Sequence, residues 1–274
     1  MRLILAARSV VRPSVRAGLL LLGCVGGLSP VQAREDLEGA IGLQGVRGPT
    51  YAGSARADAG LRVGGYVRWR SLTISSGGGF ITRRNEDVPR GLGVALRPSP
   101  DWQIDLGLRL DGGRSDSDDP ALSGLGGVPR TVRGRVGLRW RGLDPWRLGA
   151  AWSFDALGRG GGAVIETGIE RRWSPMPDAW LTAGLSTSLA SDRHHQTWSG
   201  VSAAQAARTG YPVYTPGWGW RDVSIYTHWR QVLTDRWVVG AGLSMTTLLG
   251  PAADSPLVRE RTAWRADAGI AWRF

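Results

Sequence analysis

The sequence predicts an all-β protein: a transmembrane antiparallel up-and-down β-barrel of about twelve strands behind a cleaved signal peptide. Three observations predict it. Apolar residues recur with period two along most of the chain, short Pro/Asp-rich turns alternate with long polar connections, and the last residue is an aromatic, Phe274, in strand-like phase with Trp272 and Ile270. In a strand, alternate residues face opposite sides of the sheet.

Residues 1–33 read as the signal peptide. Arg2, Arg8, Arg12 and Arg16 form a basic start without an acid, Ala17 to Leu28 is apolar, and Val31-Gln32-Ala33 offers small-residue cleavage after Ala33. The apolar stretch is too short for a spanning helix. A rival reading is a lipoprotein box, Leu21-Leu22-Gly23-Cys24, which would acylate Cys24. Cleavage after Ala33 removes four of 34 basic residues and no acid, leaving 30 against 23, a net of +7 carried wholly by Arg. Cys24 is the one cysteine and leaves with the signal, so a disulfide framework is excluded from the mature part, residues 34–274. The 41 glycines follow no Gly-X-Y period, which excludes a collagen-like chain, and the 14 interleaved tryptophans argue against disorder.

After Ala33 no apolar run reaches the ~18 residues of a transmembrane helix. Trp102, Ile104, Leu106, Leu108 and Leu110 alternate with Gln103, Asp105, Gly107, Arg109 and Asp111. Val132, Val136, Leu138 and Trp140 alternate with Arg133, Arg135, Gly137 and Arg139, and Leu181 to Leu189 alternates with Thr182, Gly184, Ser186 and Ser188. One face is apolar and the other is Gly, Ser, Arg and Asp, the pattern of a membrane barrel with a wet lumen. Short turns fall near 69–70, 98–101, 142–145, 174–178 and 231–235; longer connections fall near 47–59, 80–90, 112–130, 157–162, 191–219 and 248–261. An even strand number puts both mature termini at the short-turn end, which in such barrels is the periplasmic side.

Tryptophans cluster at that end. Trp140/Trp146, Trp173/Trp180 and Trp229/Trp237 flank short turns, and with Trp102 they are expected to form an aromatic girdle at headgroup level. Asp267, Gly269, Trp272 and Phe274 fit polar-x-Gly-x-x-aromatic-x-aromatic, which resembles the signal read by barrel-assembly machinery in outer-membrane substrates.

Motifs for chemistry are weak. Gly158 to Ala163 matches a dinucleotide fingerprint, but Ile165, Thr167 and Ile169 continue it as a strand, not a helix. His194 and His195 are adjacent in a long connection, which suits no regular metal site, and His228 is in phase with Tyr226 and Arg230 and should face the lumen. Asp254-Ser255-Pro256 reads as turn chemistry rather than part of a hydrolase. No enzyme, cofactor or metal is expected. Lumen-facing Arg109, Arg133, Arg135, Arg139, Arg147, Arg230, Arg265 and Arg273 should pair with Asp105, Asp155, Glu166 and Asp267 and hold the interior together. Unpaired, they would favour anionic solutes. Nucleic acid is not an expected partner, because a membrane barrel does not meet it.

Several segments in order carry a family resemblance: Thr50 to Ser54, Gly113-Arg114 leading to Asp118-Asp119, Leu122 to Gly126, Gly158 to Gly162, Trp198 to Ala206 followed by Tyr214, Asp254 to Val258, and the aromatic terminus. Together they resemble the MipA/OmpV family of outer-membrane proteins. The resemblance implies a barrel in the Gram-negative outer membrane acting as a scaffold between a lytic transglycosylase and a murein synthase, with no catalytic constellation of its own. Two other expectations stand beside it: a passive porin-like channel with an Arg-lined lumen, and adhesion through loop 191–219, which carries Tyr211, Tyr214, Trp218 and Trp220.

Overall fold

A computed structural model describes residues 37–76 and 90–274. The signal peptide, Cys24 and most of the 80–90 connection lie outside the described residues. The strands are β1 (Leu37–Pro49), β2 (Ala57–Trp69), β3 (Leu72–Ser75), β4 (Gly91–Leu96), β5 (Trp102–Asp111) and β6 (Thr131–Leu143). They continue as β7 (Trp146–Asp155), β8 (Ala163–Met176), β9 (Ala179–Ala190), β10 (Gly219–Val232), β11 (Trp237–Leu248) and β12 (Thr262–Arg273). Each pairs antiparallel with the next, and β1 pairs with β12 from Ala40↔Arg273 to Arg47↔Ala266, closing a twelve-stranded barrel. Among the described residues three short α-helices lie in the long connections, α1 (Asp192–Ser199), α2 (Ala203–Thr209) and α3 (Gly250–Ala253), with a 3-10 turn at Pro120–Leu122. Among the described residues no helix is long and apolar enough to cross a membrane.

Closure follows from the alternation. On β5 the apolar set, Trp102 to Leu110, points outward, with Leu110 79% exposed, while Gln103 and Asp105 are buried on the inner face. Such an exterior is stable against hydrocarbon, where a closed sheet avoids the unpaired N–H and C=O groups of an open edge. The short turns are tight. Arg70 and Asp178, in the β2–β3 and β8–β9 turns, both take positive φ (54° and 57°).

At the closing seam, Gly39 N–H donates to Phe274 O (3.1 Å) and Phe274 N–H donates to Gly39 O (3.0 Å). The Phe274 ring lies over Gly39 so closely that a Cβ there would sit 2.4 Å from it. A side chain at this position would displace the terminal ring and crowd the Tyr66 carbonyl oxygen. Trp272 and Phe274 pack with centroids 5.5 Å apart, while Asp267 turns inward and accepts from Gln44 Nε2 at 2.7 Å. Gly269 faces Gln44 on β1 and Gly240 on β11.

By strand parity, Trp102, Trp140, Trp146, Trp173, Trp229 and Trp237 lie on the outer face at the short-turn end, and Trp69 joins them. Trp180 does not. It pairs across β9–β10 with the buried Arg230 and its ring carries that guanidinium at 5.6 Å, so it belongs to the lumen. The expected girdle position is corrected for this residue. Trp180 is out of phase with Leu181, Ala183 and Leu185, and strand phase decides its side, not its nearness to a turn.

Candidate functional site

The inner face bears the remaining chemistry. At the short-turn end it is filled: Ala40, Tyr66, Val238 and Ala271 form a buried apolar cluster, with Val232 against it. Arg230 (3% exposed) and Arg273 (7%) lie at this end. Arg273 Nη2 donates to the carbonyls of Thr234 (3.2 Å) and Asp235 (3.1 Å), tying the last strand to the β10–β11 turn.

Ion pairs line the middle of the lumen along the β5–β8 wall. Arg139 holds Asp105 (2.7 Å) and Arg135 holds Glu166 (2.6 Å), two of the expected pairs. The other two carboxylates are taken differently. Asp267 is served by Gln44, and Asp155 accepts from Thr131 Oγ1 and the Gly161 N–H. Arg133, 2% exposed, donates to Gly161 O at 3.0 Å and lies 3.8 Å from Asp111. Arg109 and Arg147 line the central chamber; Arg265 lies on the inner face near the long-loop rim, its side chain over Gly48. His228 faces the lumen beside Tyr226, their rings 6.4 Å apart. Glycine makes room here too: a Cβ on Gly184 would meet the Tyr226 ring at 2.4 Å.

Sequence phase missed Arg221. A bulge between Trp220 and Asp222 adds one residue to β10, which turns Arg221 inward although its number matches the outward set. Its guanidinium holds Asp222 (2.6 Å) and approaches Glu166 (3.8 Å). What remains open is a chamber of about 630 Å³, with Arg109, Arg135, Arg139 and Arg147 on β5–β7 and Glu166, Glu170 and Asp222 on β8 and β10. A second space of about 380 Å³ adjoins it and shares Arg109, Glu166, Arg221 and Asp222.

Above that space the long connections fold into a cap with its own core: Tyr51, Leu122, Leu125, Val201 and Leu257, with Tyr211 and Tyr214 packed against it. Polar contacts stitch the same segments. Tyr51 Oη donates to Leu257 O (2.8 Å), Arg114 Nη1 to Trp198 O (2.9 Å), Tyr214 Oη to Pro251 O (2.9 Å) and Ser255 Oγ to Ser199 O (2.6 Å). Asp119 accepts from Thr50 Oγ1 (2.6 Å) and Ser54 Oγ (3.0 Å). Burial pushes the Asp119 carboxyl up, but these bonds and the Ala121 N–H outweigh it and hold the group below its ordinary range. The 191–219 connection is thus helical and packed at its start, not a plain polar loop. Ser191 and Ser202 cap α1 and α2, the second with a full capping box to Gln205.

Both histidines of α1 are buried. His194 Nδ1 lies 3.0 Å from Gly161 O and His195 Nε2 3.3 Å from Gly219 O, so they fasten α1 to the β7–β8 connection and to the start of β10. Among the described residues no cluster of His, Cys, Asp and Glu is placed to hold a metal. Burial first, then the nearby Arg221, lowers His194 to about 3. An unfolded histidine titrates near 6.5, so the unfolded cap binds a proton that the folded cap refuses. Stability from this group is complete above pH ~6.5 and falls by about 1.4 kcal/mol per pH unit as the pH drops toward about 3. Hydrogen exchange of α1 at pH 6.5 and 4.5 should show protection falling with acid, and His194→Gln should flatten the dependence.

A family model described as MltA-interacting protein MipA matches residues 41–274. No curated protein matches the chain by sequence. Solved structures similar to the chain include the NanC porin (8% identity, TM-score 0.45, covering 85% of this chain and 98% of that one). Two more are the KdgM porin in complex with disordered oligogalacturonate (9%, 0.40, 86% and 99%) and the outer membrane channel DcaP of Acinetobacter baumannii (8%, 0.38, 87% and 96%). Likenesses this distant add nothing to the strand pairing. The family match spans β1 from Ile41, every later strand and all the segments of the cap, and by it the chain belongs to the MltA-interacting protein MipA family.

Proposed function

We propose that this protein is a non-enzymatic outer-membrane barrel that holds partners rather than passing solutes, a scaffold for a lytic transglycosylase and a murein synthase. The ends of the barrel carry the choice over a channel. The apolar cluster and buried Arg230 and Arg273 narrow the short-turn end, and the cap covers the chamber at the other. The name of the family supports the partner class. In this reading the termini and short turns face the periplasm. The assembly machinery reads Asp267, Gly269, Trp272 and Phe274, and outward Trp102, Trp140, Trp146, Trp173, Trp229 and Trp237 sit among the lipid headgroups. Ser255 is spent on the Ser199 carbonyl, so no nucleophile is assigned there.

The chamber of about 630 Å³ favours a second reading, a barrel that binds or passes anionic solutes. Planar-bilayer recording separates the two. The scaffold predicts that the purified barrel gives no steady conductance, and that capture of a lytic transglycosylase is lost when turn 174–178 or 231–235 is replaced. Steady anion-selective steps would overturn it in favour of the channel.

A further inference from the structure

We infer that the outer wall over β7–β10 binds one anionic phospholipid, its phosphate held by Arg171 and an acyl chain lying in the groove beside it. Arg171 is an arginine on the membrane side of the barrel. It pairs with Trp146 on β7 and Ala183 on β9, in phase with Ile169 and Trp173, while Glu170 and Arg172 turn inward and meet each other at 3.6 Å. Its guanidinium carbon lies 5.5 Å from the Trp146 ring centre and 5.1 Å from that of Trp173. Two indoles thus hold the cation, each contact worth roughly 0.5–2 kcal/mol. Its Nε is buried between the indoles, which leaves the two Nη groups to take an acceptor, and among the described residues no carboxylate pairs with it. An arginine fixed at the level of the tryptophans needs an acceptor, and the acceptor a membrane offers there is a lipid phosphate, which the guanidinium fork fits with two parallel bonds.

The second observation lies directly beyond. A groove of about 680 Å³ runs over the same face, lined on its outward side by Leu148, Thr167, Ile169, Leu185, Thr187 and Trp220. It begins at Ile169, the next outward residue from Arg171, and the small outward Ala150 pairs with Thr167 across β7–β8. From Arg171 to Thr167 is four residues, about 13 Å of strand. One leaflet is about half of the ~30 Å hydrocarbon thickness, so a chain hanging from a phosphate at Arg171 has the depth to follow the groove. With no carboxylate pairing beside the clamp, the ammonium of a zwitterionic lipid finds no partner, which favours a net-negative headgroup.

The test is native mass spectrometry of the full barrel, delipidated in detergent and offered phosphatidylglycerol, phosphatidylcholine or inorganic phosphate. The expected result is retention of one phosphatidylglycerol, about tenfold more tightly than phosphatidylcholine, with loss of about tenfold in Arg171→Gln. Thr167→Trp fills the groove and leaves the clamp, and should lose retention as well; Ala150→Leu fills it from the paired strand should Thr167→Trp not assemble. Assembly of each variant is first confirmed by its heat-modifiable electrophoretic mobility. Equal retention of the two lipids, retention unchanged in Arg171→Gln or in the assembled groove variant, or displacement of the lipid by inorganic phosphate alone overturns the proposal.

Discussion

Deleting Phe274 should lower the assembled fraction of the barrel by about tenfold or more while leaving export of the chain intact. The terminal residue closes the seam between first and last strands with two backbone hydrogen bonds to Gly39 and lays its ring on that glycine. Phe274 is 55% exposed, so its ring contributes only part of the about 1.5–3 kcal/mol of a fully buried side chain. The freed backbone groups cost more, although water at the barrel end replaces part of that loss. Phe274→Tyr keeps the ring and the backbone and should assemble almost as well as the parent, whereas Phe274→Ala keeps the backbone alone and should fall between. Semi-native electrophoresis of membrane fractions reads the assembled fraction, and signal processing reads export. A truncated chain that assembles normally would show that the seam closes without its last residue.

The barrel was legible because a bilayer imposes one rule on every strand. Apolar outward residues at period two, as in Trp102 to Leu110, give the register of β5 directly. The alternation of short turns and long connections gives strand number and the common end of the termini. Where the rule is broken locally, number parity misleads: the bulge before Asp222 turns Arg221 inward. Trp180 was readable but read by its neighbouring turn instead of its phase. Partner choice inside the lumen was less legible. Gln44 reaches Asp267 across the β1–β12 seam, a contact between residues at opposite ends of the chain that no local pattern encodes. The cap was hidden for the same reason. The capping box at Ser202 and Gln205 is a local signal for α2, but the core it joins gathers one or two residues from each of four connections. Most of the segments that carry the family resemblance, Thr50 to Ser54, Leu122 to Gly126, Trp198 to Ala206 with Tyr214, and Asp254 to Val258, are the segments that build this cap.

Leu122→Asp should release the cap and leave the barrel standing. Leu122 is 0% exposed, at the centre of a core shared with Tyr51, Leu125, Val201 and Leu257. Truncation of a buried leucine costs about 2–5 kcal/mol, and a carboxylate in its place adds a desolvation cost. So small a core has little else to lose. Hydrogen exchange should show protection in 198–206 falling by more than about 100-fold, while the strands keep theirs because no ladder hydrogen bond involves this side chain. Loss of protection in strands and cap together would mean that they fold as one unit. The same variant bears on function. A released cap uncovers the space lined by Arg109, Glu166 and Arg221 but leaves the short turns untouched. If the protein works as a scaffold through those turns, partner capture should survive Leu122→Asp. If the chamber is where it works, solute binding or conductance should change while capture has nothing to say. The cap and the turns lie at opposite ends of the same strands, so a single substitution at one end can separate the two readings.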